Sequence, residues 1–274
     1  MPDFLRATID VLLGIGLLFG GGELFVQGAV ALALVFGIPQ LVIGLTVVSL
    51  GTSAPELFVS LSSVFKGSDA LAVSNAVGSN IFNVMVVLGA SALVLPLRVE
   101  SRLVRRDIPL LIAISAAVWG IASAGRMTWQ AGVALLVGLV INTIWEIRTA
   151  REQPDVSVDA EPEVDANAGQ GGWGLAVLKL IAGIAVLTIG SRVLVSGAIT
   201  AATLLGVSEA VIGLTIVSAG TSTPELITSM VAALRGRTDL AIGNVVGSCL
   251  LNLTLVLGGG ALAAGSRGLH VSAD

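Results

Sequence analysis

The chain has 274 residues, of which 55% are hydrophobic and only 12% are charged, and its mean hydropathy is +0.98. These values exclude a soluble globular protein and predict an integral membrane protein. The net charge of −4 leaves no basic surface for nucleic acid. The single cysteine excludes an internal disulfide, and one histidine with no tyrosine leaves few groups for acid–base catalysis, so an enzyme is not expected.

Apolar runs long enough to cross a bilayer, which takes roughly 20 residues, recur along the chain. They predict an all-α membrane protein with eight transmembrane helices near residues 8–35, 40–65, 70–95, 105–124, 128–148, 173–204, 209–234 and 239–264. The first run is a helix and not a signal peptide, because it carries Asp10 and Glu23 and lacks a basic start. An acidic linker rich in proline and glycine, 151–172, separates a first part, 1–150, from a second, 173–274.

The two parts share an internal repeat. Residues 44–89 align with 213–258 without a gap, and half of the aligned residues are identical. The identities include serine, asparagine, proline and glutamate, which lipid would not select. The repeated helices are the second and seventh, so an odd number of crossings places the copies in opposite orientations. The sequence therefore predicts an inverted repeat, with five helices in the first part and three in the second.

The distribution of arginine and lysine predicts the orientation in the membrane. With the N-terminus outside, the inner loops hold more basic residues than the outer loops, and the linker 151–172 is cytoplasmic. The inner set is Arg98, Arg102, Arg105, Arg106, Arg148, Arg151, Arg235 and Arg237, and the outer set is Arg6, Lys66, Arg126 and Arg267.

Each repeat carries polar side chains at helical spacing, so that they share one face of a helix. The second helix has Ser49, Ser53, Glu56 and Ser60, and the third has Asn75, Ser79 and Asn83; the seventh has Ser218, Ser222, Glu225 and Ser229, and the eighth has Asn244, Ser248 and Asn252. Pro55 and Pro224 cannot donate a backbone hydrogen bond, which predicts a break in each helix and free carbonyl oxygens just before it.

Glu56 and Glu225 make the strongest functional signal. An unpaired carboxylate in mid-bilayer costs about 2.5–3.5 kcal/mol or more, and these helices supply no basic partner. Either a cation visits or the acids are protonated. Two carboxylates and one carbonyl from each broken helix give the oxygen count that Ca²⁺ needs, and the same oxygens suit Na⁺; soft metals lack their ligands.

Other charged residues have structural interpretations. Asp69 and Asp239 begin helices, where an acid caps free N–H groups. Glu23 and Arg192 occupy matching positions of the first and sixth helices, and either pair across the repeat or reach the membrane surface.

The motifs GTSAPE with NAVGSNIFN, and GTSTPE with NVVGSCLLN, resemble the two alpha repeats of the sodium/calcium exchanger family of cation/calcium antiporters, of bacterial or archaeal type. The resemblance implies an inverted-repeat transporter of the cell (inner) membrane, with no cofactor and with Ca²⁺ and Na⁺ as transported ions. It implies a calcium site of Glu56 and Glu225 with the carbonyls of Thr52 and Thr221. It also implies sodium sites lined by Ser53, Ser79, Ser222 and Ser248 with the carbonyls of Ser49 and Ser218, and Asn83 and Asn252 at the centre.

Two features depart from the family pattern. Some members carry an acid where this chain has Asn252, so the central charge here is expected to be −2. Residues 269–274 resemble 97–102, which lead into the fourth helix. The expectation is therefore five plus three helices where the family has five plus five. Either the chain is a fragment, or a partner or a second copy covers the incomplete half.

The expected activity is antiport, in which calcium and sodium compete for the two glutamates. Two alternatives stay open at this point. In a proton-coupled cation exchanger the same acids would carry protons, whereas in a cation channel or a non-transporting cation-binding protein no countertransport would occur.

Overall fold

A computed structural model describes residues 2–97, 99–152, 172–207 and 218–271, which are almost entirely helical. The helices are α1 (Pro2–Phe36), α2 (Gln40–Thr52), α3 (Ala54–Phe65), α4 (Asp69–Val94), α5 (103–122), α6 (Trp129–Glu152), α7 (Gly172–Leu204), α8 (Ser218–Thr221), α9 (Thr223–Leu234) and α10 (238–264). Two short strands, β1 (Arg126–Met127) and β2 (Leu269–His270), pair in antiparallel register.

The expected helix 40–65 is broken at the predicted place. Ser53 leaves helical geometry with ψ near 5°, Pro55 lies in the first turn of α3, and α2 and α3 meet at a bend of 46°. Ser222, with ψ near 7°, and Pro224 produce the same break between α8 and α9. Each proline removes one backbone donor and crowds the preceding turn, so the chain restarts as a new helix.

By length and composition, five helices in the described ranges can cross a membrane: α1, α4, α6, α7 and α10. The bent pair of α2 and α3 adds a sixth candidate. Residues 208–217, which include the start of the seventh predicted helix (209–234), lie outside the described residues, as do most of the linker and Arg98. The arrangement of five plus three spans therefore stays a prediction.

The long helices α1 and α7 pack along each other, and α10 lies at the centre, where nearly all of its residues are buried. Small residues allow the close contact between α1 and α7. A Cβ atom on Gly183 would lie 2.6 Å from the backbone nitrogen of Phe25, so only glycine lets these backbones approach. The polar segments α2–α3, α4 and α8–α9 pack around α10.

The acids at the edges of the fold have partners that differ from the expected ones. Asp69 does not cap its own helix: it binds Arg267 through two hydrogen bonds and accepts a third from the backbone N–H of His270. Glu23 pairs with Arg235, at 2.7 Å, and not with Arg192. In both cases an arginine that is distant in the sequence pairs with the carboxylate, and Glu23 also accepts a hydrogen bond from Gln27 of its own helix at 2.9 Å.

A buried charge cluster joins the first turn of α5 to the end of α6. Glu146 is almost fully buried and forms ion pairs with both Arg102 and Arg106. Arg106 also binds Asn142, at 2.6 Å, and its guanidinium lies 3.5 Å from the ring centroid of Trp145. These contacts fix the angle between α5 and α6, and two of the arginines that predicted the orientation therefore also have a structural role.

We expect Glu146→Gln to lower the free energy of unfolding by about 1–2 kcal/mol, because it removes the carboxylate that Arg102 and Arg106 share and leaves Asp107, 2.8 Å from Arg106, to balance the cluster. The loss stays below that of a fully buried pair, since Arg102 and Arg106 are 23% and 26% exposed. Thermal unfolding in detergent measures the effect. Arg148→Gln, at an exposed position of the same helix, is the matched control and should leave the midpoint unchanged.

Candidate cation site

The two glutamates singled out by the sequence are both fully buried, and each is bound by a serine from the other repeat. Ser222 donates to Oε1 of Glu56 at 2.9 Å, and Ser53 donates to Oε1 of Glu225 at 3.1 Å. Because each serine stands at a helix break, its side chain projects across to the opposite repeat. Ser79 extends this network, with its hydroxyl 3.0 Å from that of Ser222 and 3.4 Å from Glu56.

Two asparagines brace the backbone that carries the acids. Asn75 donates to the carbonyl of Glu56 at 3.2 Å and to the hydroxyl of Ser60 at 3.0 Å. Asn244 makes the matching contacts in the second repeat, to the carbonyl of Glu225 at 3.4 Å and to Ser229 at 2.9 Å. Sequence reasoning placed these asparagines and serines on the same helical faces as the predicted site residues, and their contacts hold the helices of each repeat together.

Thr52 joins the two repeats beside the acids. Its hydroxyl donates to the amide oxygen of Asn244 at 3.1 Å and lies 3.5 Å from the hydroxyl of Ser248. All three side chains are fully buried. A polar network of this kind is stable in a membrane only where its donors and acceptors satisfy one another.

At the centre, four buried oxygen atoms have no hydrogen-bond partner among the described residues: Oε2 of Glu56, Oε2 of Glu225, Oδ1 of Asn83 and Oδ1 of Asn252. A wide π-helical turn begins at each asparagine. The turn at Asn83 packs against α9, which carries Glu225, and the turn at Asn252 packs against α3, which carries Glu56. Buried acceptors without donors are costly, and a cation satisfies them at once.

The structure describes the other predicted carbonyl ligands, Ser49, Thr221 and Ser218, to different extents. Ser49 is buried, but its hydroxyl donates back to the carbonyl of Leu45 at 2.8 Å, and its own carbonyl accepts from the backbone N–H of Ser53 at 2.9 Å. Thr221 is half-buried beside a cavity. The side chain of Ser218 lies outside the described residues. The carbonyl of Ser49 therefore already has a hydrogen-bond donor, although Pro55 lacks the N–H that would bind a carbonyl in the same turn.

A cavity of about 350 Å³ lies beside the two helix breaks, between α3 and α7. Pro55, Arg192 and Thr221 contribute to its lining. At its edge Ser191 donates to the carbonyl of Gly220 at 2.6 Å, which is the carbonyl that Pro224 leaves without a helical donor. The matching faces of α1 and α9 are close, because a Cβ on Gly22 would lie 3.0 Å from Ile227.

The arrangement can bind a hard cation. The side chains in the hydrogen-bonded network are carboxylates, hydroxyls and amides, which are hard ligands. One soft group, the thiol of Cys249, lies beside Asn83, but the described residues contain no cluster of three His, Cys, Asp or Glu. Two carboxylates with neutral oxygens around them are suited to Ca²⁺ or Na⁺. The fold and this buried acidic centre define a helical membrane protein of the ion-transporter class.

The family model described as "Sodium/calcium exchanger protein" matches residues 7–148 and 175–273. The chain belongs to this family of membrane antiporters. It is 38% identical over 261 residues to the putative antiporter CaxA of Alkalimonas amylolytica, covering 95% of this chain and 82% of that protein. It is 35% identical over 256 residues to the inner membrane protein YrbG of Escherichia coli strain K12, covering 93% and 79%.

The fold also matches a solved structure of the sodium-calcium exchanger NCX_Mj, soaked with 10 mM Na⁺ and zero Ca²⁺. The TM-score is 0.79 at 33% sequence identity, and the match covers 99% of this chain and 85% of that chain. The resemblance inferred from the repeated motifs is thereby confirmed at the level of the family and of the helical membrane fold.

Proposed function

We propose that this chain exchanges calcium for sodium across the cell membrane through one central site formed by Glu56 and Glu225. The observation that carries the proposal is the crossed pattern of hydrogen bonds: each acid is bound through one oxygen by a serine of the other repeat, while its second oxygen has no partner among the described residues. The serines hold the two carboxylates toward one centre. Their free oxygens can then coordinate the same ion.

Competition at this centre couples the two ions. One Ca²⁺ balances the central charge of −2, and sodium ions can balance it with the help of neutral oxygens. The carbonyls of Thr52 and Thr221 complete the calcium site, and Asn83 and Asn252 lie at its centre. The sodium sites use the hydroxyls of Ser53, Ser79, Ser222 and Ser248 with the carbonyls of Ser49 and Ser218. An empty site carries two buried charges, so movement between access states is costly unless an ion is bound.

The cavity between α3 and α7 supports access to the site from one side of the membrane. It reaches the helix breaks at Pro55 and Thr221, while the matching contact between α1 and α9 is packed. Two inverted repeats in unequal conformations produce one-sided access, and exchange of the two conformations opens the other side. We place the N-terminus outside and the linker 151–172 in the cytoplasm.

The deciding experiment is uptake of labelled calcium by vesicles that contain the purified chain. With sodium inside and none outside, we expect uptake well above that of protein-free vesicles, because outward sodium movement drives it. Collapsing the sodium gradient with a sodium ionophore should abolish the uptake.

Each other outcome identifies a different function. Uptake driven by a proton gradient and indifferent to sodium would replace sodium with protons as the coupling ion. Flux that follows an imposed voltage without sodium movement would indicate a channel. Calcium binding without flux would indicate a protein that binds the cation but does not transport it.

A further inference from the structure

The two helices that carry the central asparagines cross at a matching pair of positions, Asn80 of α4 and Cys249 of α10. The side-chain amide of Asn80 donates to the carbonyl of Cys249 at 3.2 Å, and the thiol of Cys249 lies 4.0 Å from the carbonyl of Asn80. Asn80 occupies in the first repeat the place that Cys249 occupies in the second. The two repeats therefore differ chemically at the point where they touch.

The partner of Asn80 fixes which way its amide faces. The carbonyl of Cys249 can only accept, so the NH₂ group of Asn80 must point to it, and Oδ1 of Asn80 points the other way. That oxygen accepts from Nδ2 of Asn252 at 3.0 Å. The NH₂ group of Asn252 is consequently held by Asn80. Its own Oδ1, fully buried and without a partner among the described residues, is turned away from Asn80.

Asn83, the counterpart of Asn252, has no such support. Both Nδ2 and Oδ1 of Asn83 lack a hydrogen-bond partner within the described part of the chain. The thiol of Cys249 lies beside it, but a thiol is a weak donor and a weak acceptor and cannot orient an amide as another amide does. The amide of Asn252 is thus oriented by a hydrogen bond, whereas the amide of Asn83, which is equally buried, is not.

We propose that Asn80 is a positioning residue, which fixes the amide of Asn252 so that its oxygen is presented to the transported cation. This inference rests on the proposed function, because it concerns the same central site. Groups that hold a ligand by hydrogen bonds from behind commonly change metal affinity by about 10- to 100-fold when they are removed. The exchange of Asn for Cys between the repeats makes the two halves of the site unequal: the amide of Asn252 is held by a hydrogen bond, and the amide of Asn83 is not.

The test compares calcium affinity in native protein, in Asn80→Cys and in a swapped variant that combines Asn80→Cys with Cys249→Asn. Affinity is measured in detergent from the stabilisation by CaCl₂, and the half-saturating calcium concentration of transport is measured in vesicles. We expect Asn80→Cys to raise the half-saturating concentration about tenfold, with a much smaller effect on the maximal rate. The swapped variant should recover most of the affinity, because Cys249→Asn supplies an amide that can orient Asn83 as Asn80 orients Asn252.

Alanine substitutions at the two central asparagines separate a positioning role from a structural one. In native protein Asn252→Ala should weaken binding more than Asn83→Ala, and in the swapped variant the order should reverse. In an Asn252→Ala background, Asn80→Cys should have little further effect, since its partner is gone. If Asn80→Cys does not fold, the swapped variant still tests the inference, because it conserves the total side-chain volume. The test is then whether Asn83→Ala weakens calcium binding more than Asn252→Ala in that variant.

Unchanged affinity in folded Asn80→Cys would overturn the inference, as would an undiminished effect in the Asn252→Ala background. So would a swapped variant that still depends mainly on Asn252. Glu56→Gln distinguishes these results from failure of the proposed function. If native protein binds calcium and Glu56→Gln does not, a null result at Asn80 rejects only the positioning role; if neither binds, the proposed function fails as well.

Discussion

Replacing either buried glutamate with glutamine, Glu56→Gln or Glu225→Gln, should abolish sodium-driven calcium uptake, to less than about 1% of the native rate. Glutamine keeps the size and one oxygen of the side chain but removes half of the central charge of −2 that balances Ca²⁺. The hydrogen bonds from Ser222 and Ser53 can still form to the amide oxygen. The loss should therefore appear in ion binding, and not in folding. The measurement is labelled calcium uptake beside the thermal unfolding midpoint of each variant.

The two variants should also be at least as stable as native protein in the absence of calcium and sodium, because an uncharged amide costs less to bury than a carboxylate. Of the three proteins, only the native one should gain stability when CaCl₂ is added, since only it has both carboxylates to bind the ion tightly. Higher stability without ions, together with the loss of stabilisation by CaCl₂, is expected for acids that bind the ion but not for acids that only stabilise the fold. A variant that loses both activity and stability without ions would contradict the role of that acid.

Glu23→Gln is the matched control. Glu23 lies in the apolar helix α1, but unlike the central acids it pairs with Arg235 and is 30% exposed. We expect its replacement to leave most of the calcium uptake, because exposed ion pairs contribute little to stability and the carboxylate is outside the central network. Loss of uptake as complete as in Glu56→Gln would mean that charge in these helices matters irrespective of its position.

The local features of the fold could be predicted because they depend on residues close in sequence. Proline removes a backbone donor wherever it stands, so the helix breaks beside Pro55 and Pro224 follow from the sequence. Side chains three and four residues apart share a helical face, so Ser53 with Glu56, and Ser222 with Glu225, could be assigned to one side of each helix. The hydrogen bonds from Ser222 to Glu56 and from Ser53 to Glu225 depend on how the repeats pack. The internal repeat nevertheless predicted that both acids belong to one site.

The long-range partners could not be predicted. Asp69 begins a helix, and local rules assign it to a cap, yet Arg267 reaches it from the other end of the chain. Glu146 has no acidic or basic pattern around it that singles out Arg102 or Arg106, because those contacts depend on the angle between α5 and α6. Helical periodicity predicts on which face of its helix a residue lies. It does not predict which other helix packs against that face, or at which position along that helix the contact occurs.

Asn80 is the site residue that sequence reasoning missed. It lies next to Ser79, and so off the face that Asn75, Ser79 and Asn83 share. Its importance depends on the crossing of α4 and α10, where its amide meets Cys249 and Asn252. The available signal was the difference between GSN and GSC in two otherwise similar motifs, because an asymmetry inside a repeat marks a position where the two copies have different contacts.

The second large effect concerns the packing that holds the site together, and we expect Gly247→Ala to unfold or inactivate the protein. A Cβ atom at Gly247 would lie 2.5 Å from the carbonyl oxygen of Leu45 and 2.6 Å from the hydroxyl of Ser49. The first of these is backbone and cannot move alone, so α2 and α10 must separate. Overpacking of this kind costs typically about 1–3 kcal/mol.

Loss of activity should exceed what the loss of stability explains. Gly247 precedes Ser248, whose hydroxyl contacts Thr52 of α2 at 3.5 Å, so a shift between these helices changes the distances at the site directly. A displacement of about 1 Å is enough to weaken a coordination shell whose useful distances vary by only a few tenths of an ångström. The measurements are the unfolding midpoint and the half-saturating calcium concentration of whatever protein folds.

Gly89→Ala provides the control, because it makes the same substitution in α4, in the other repeat, where a Cβ atom would meet no atom of the described residues within 4 Å. Alanine favours the helix over glycine by about 1 kcal/mol, so this variant should be as stable as native protein and fully active. Equal behaviour of the two variants would show that α2 and α10 can separate without disturbing the acids. The close crossing of α2 and α10 at Gly247 would then be a matter of stability alone, and the geometry of the site would be set by the serines that bridge Glu56 and Glu225.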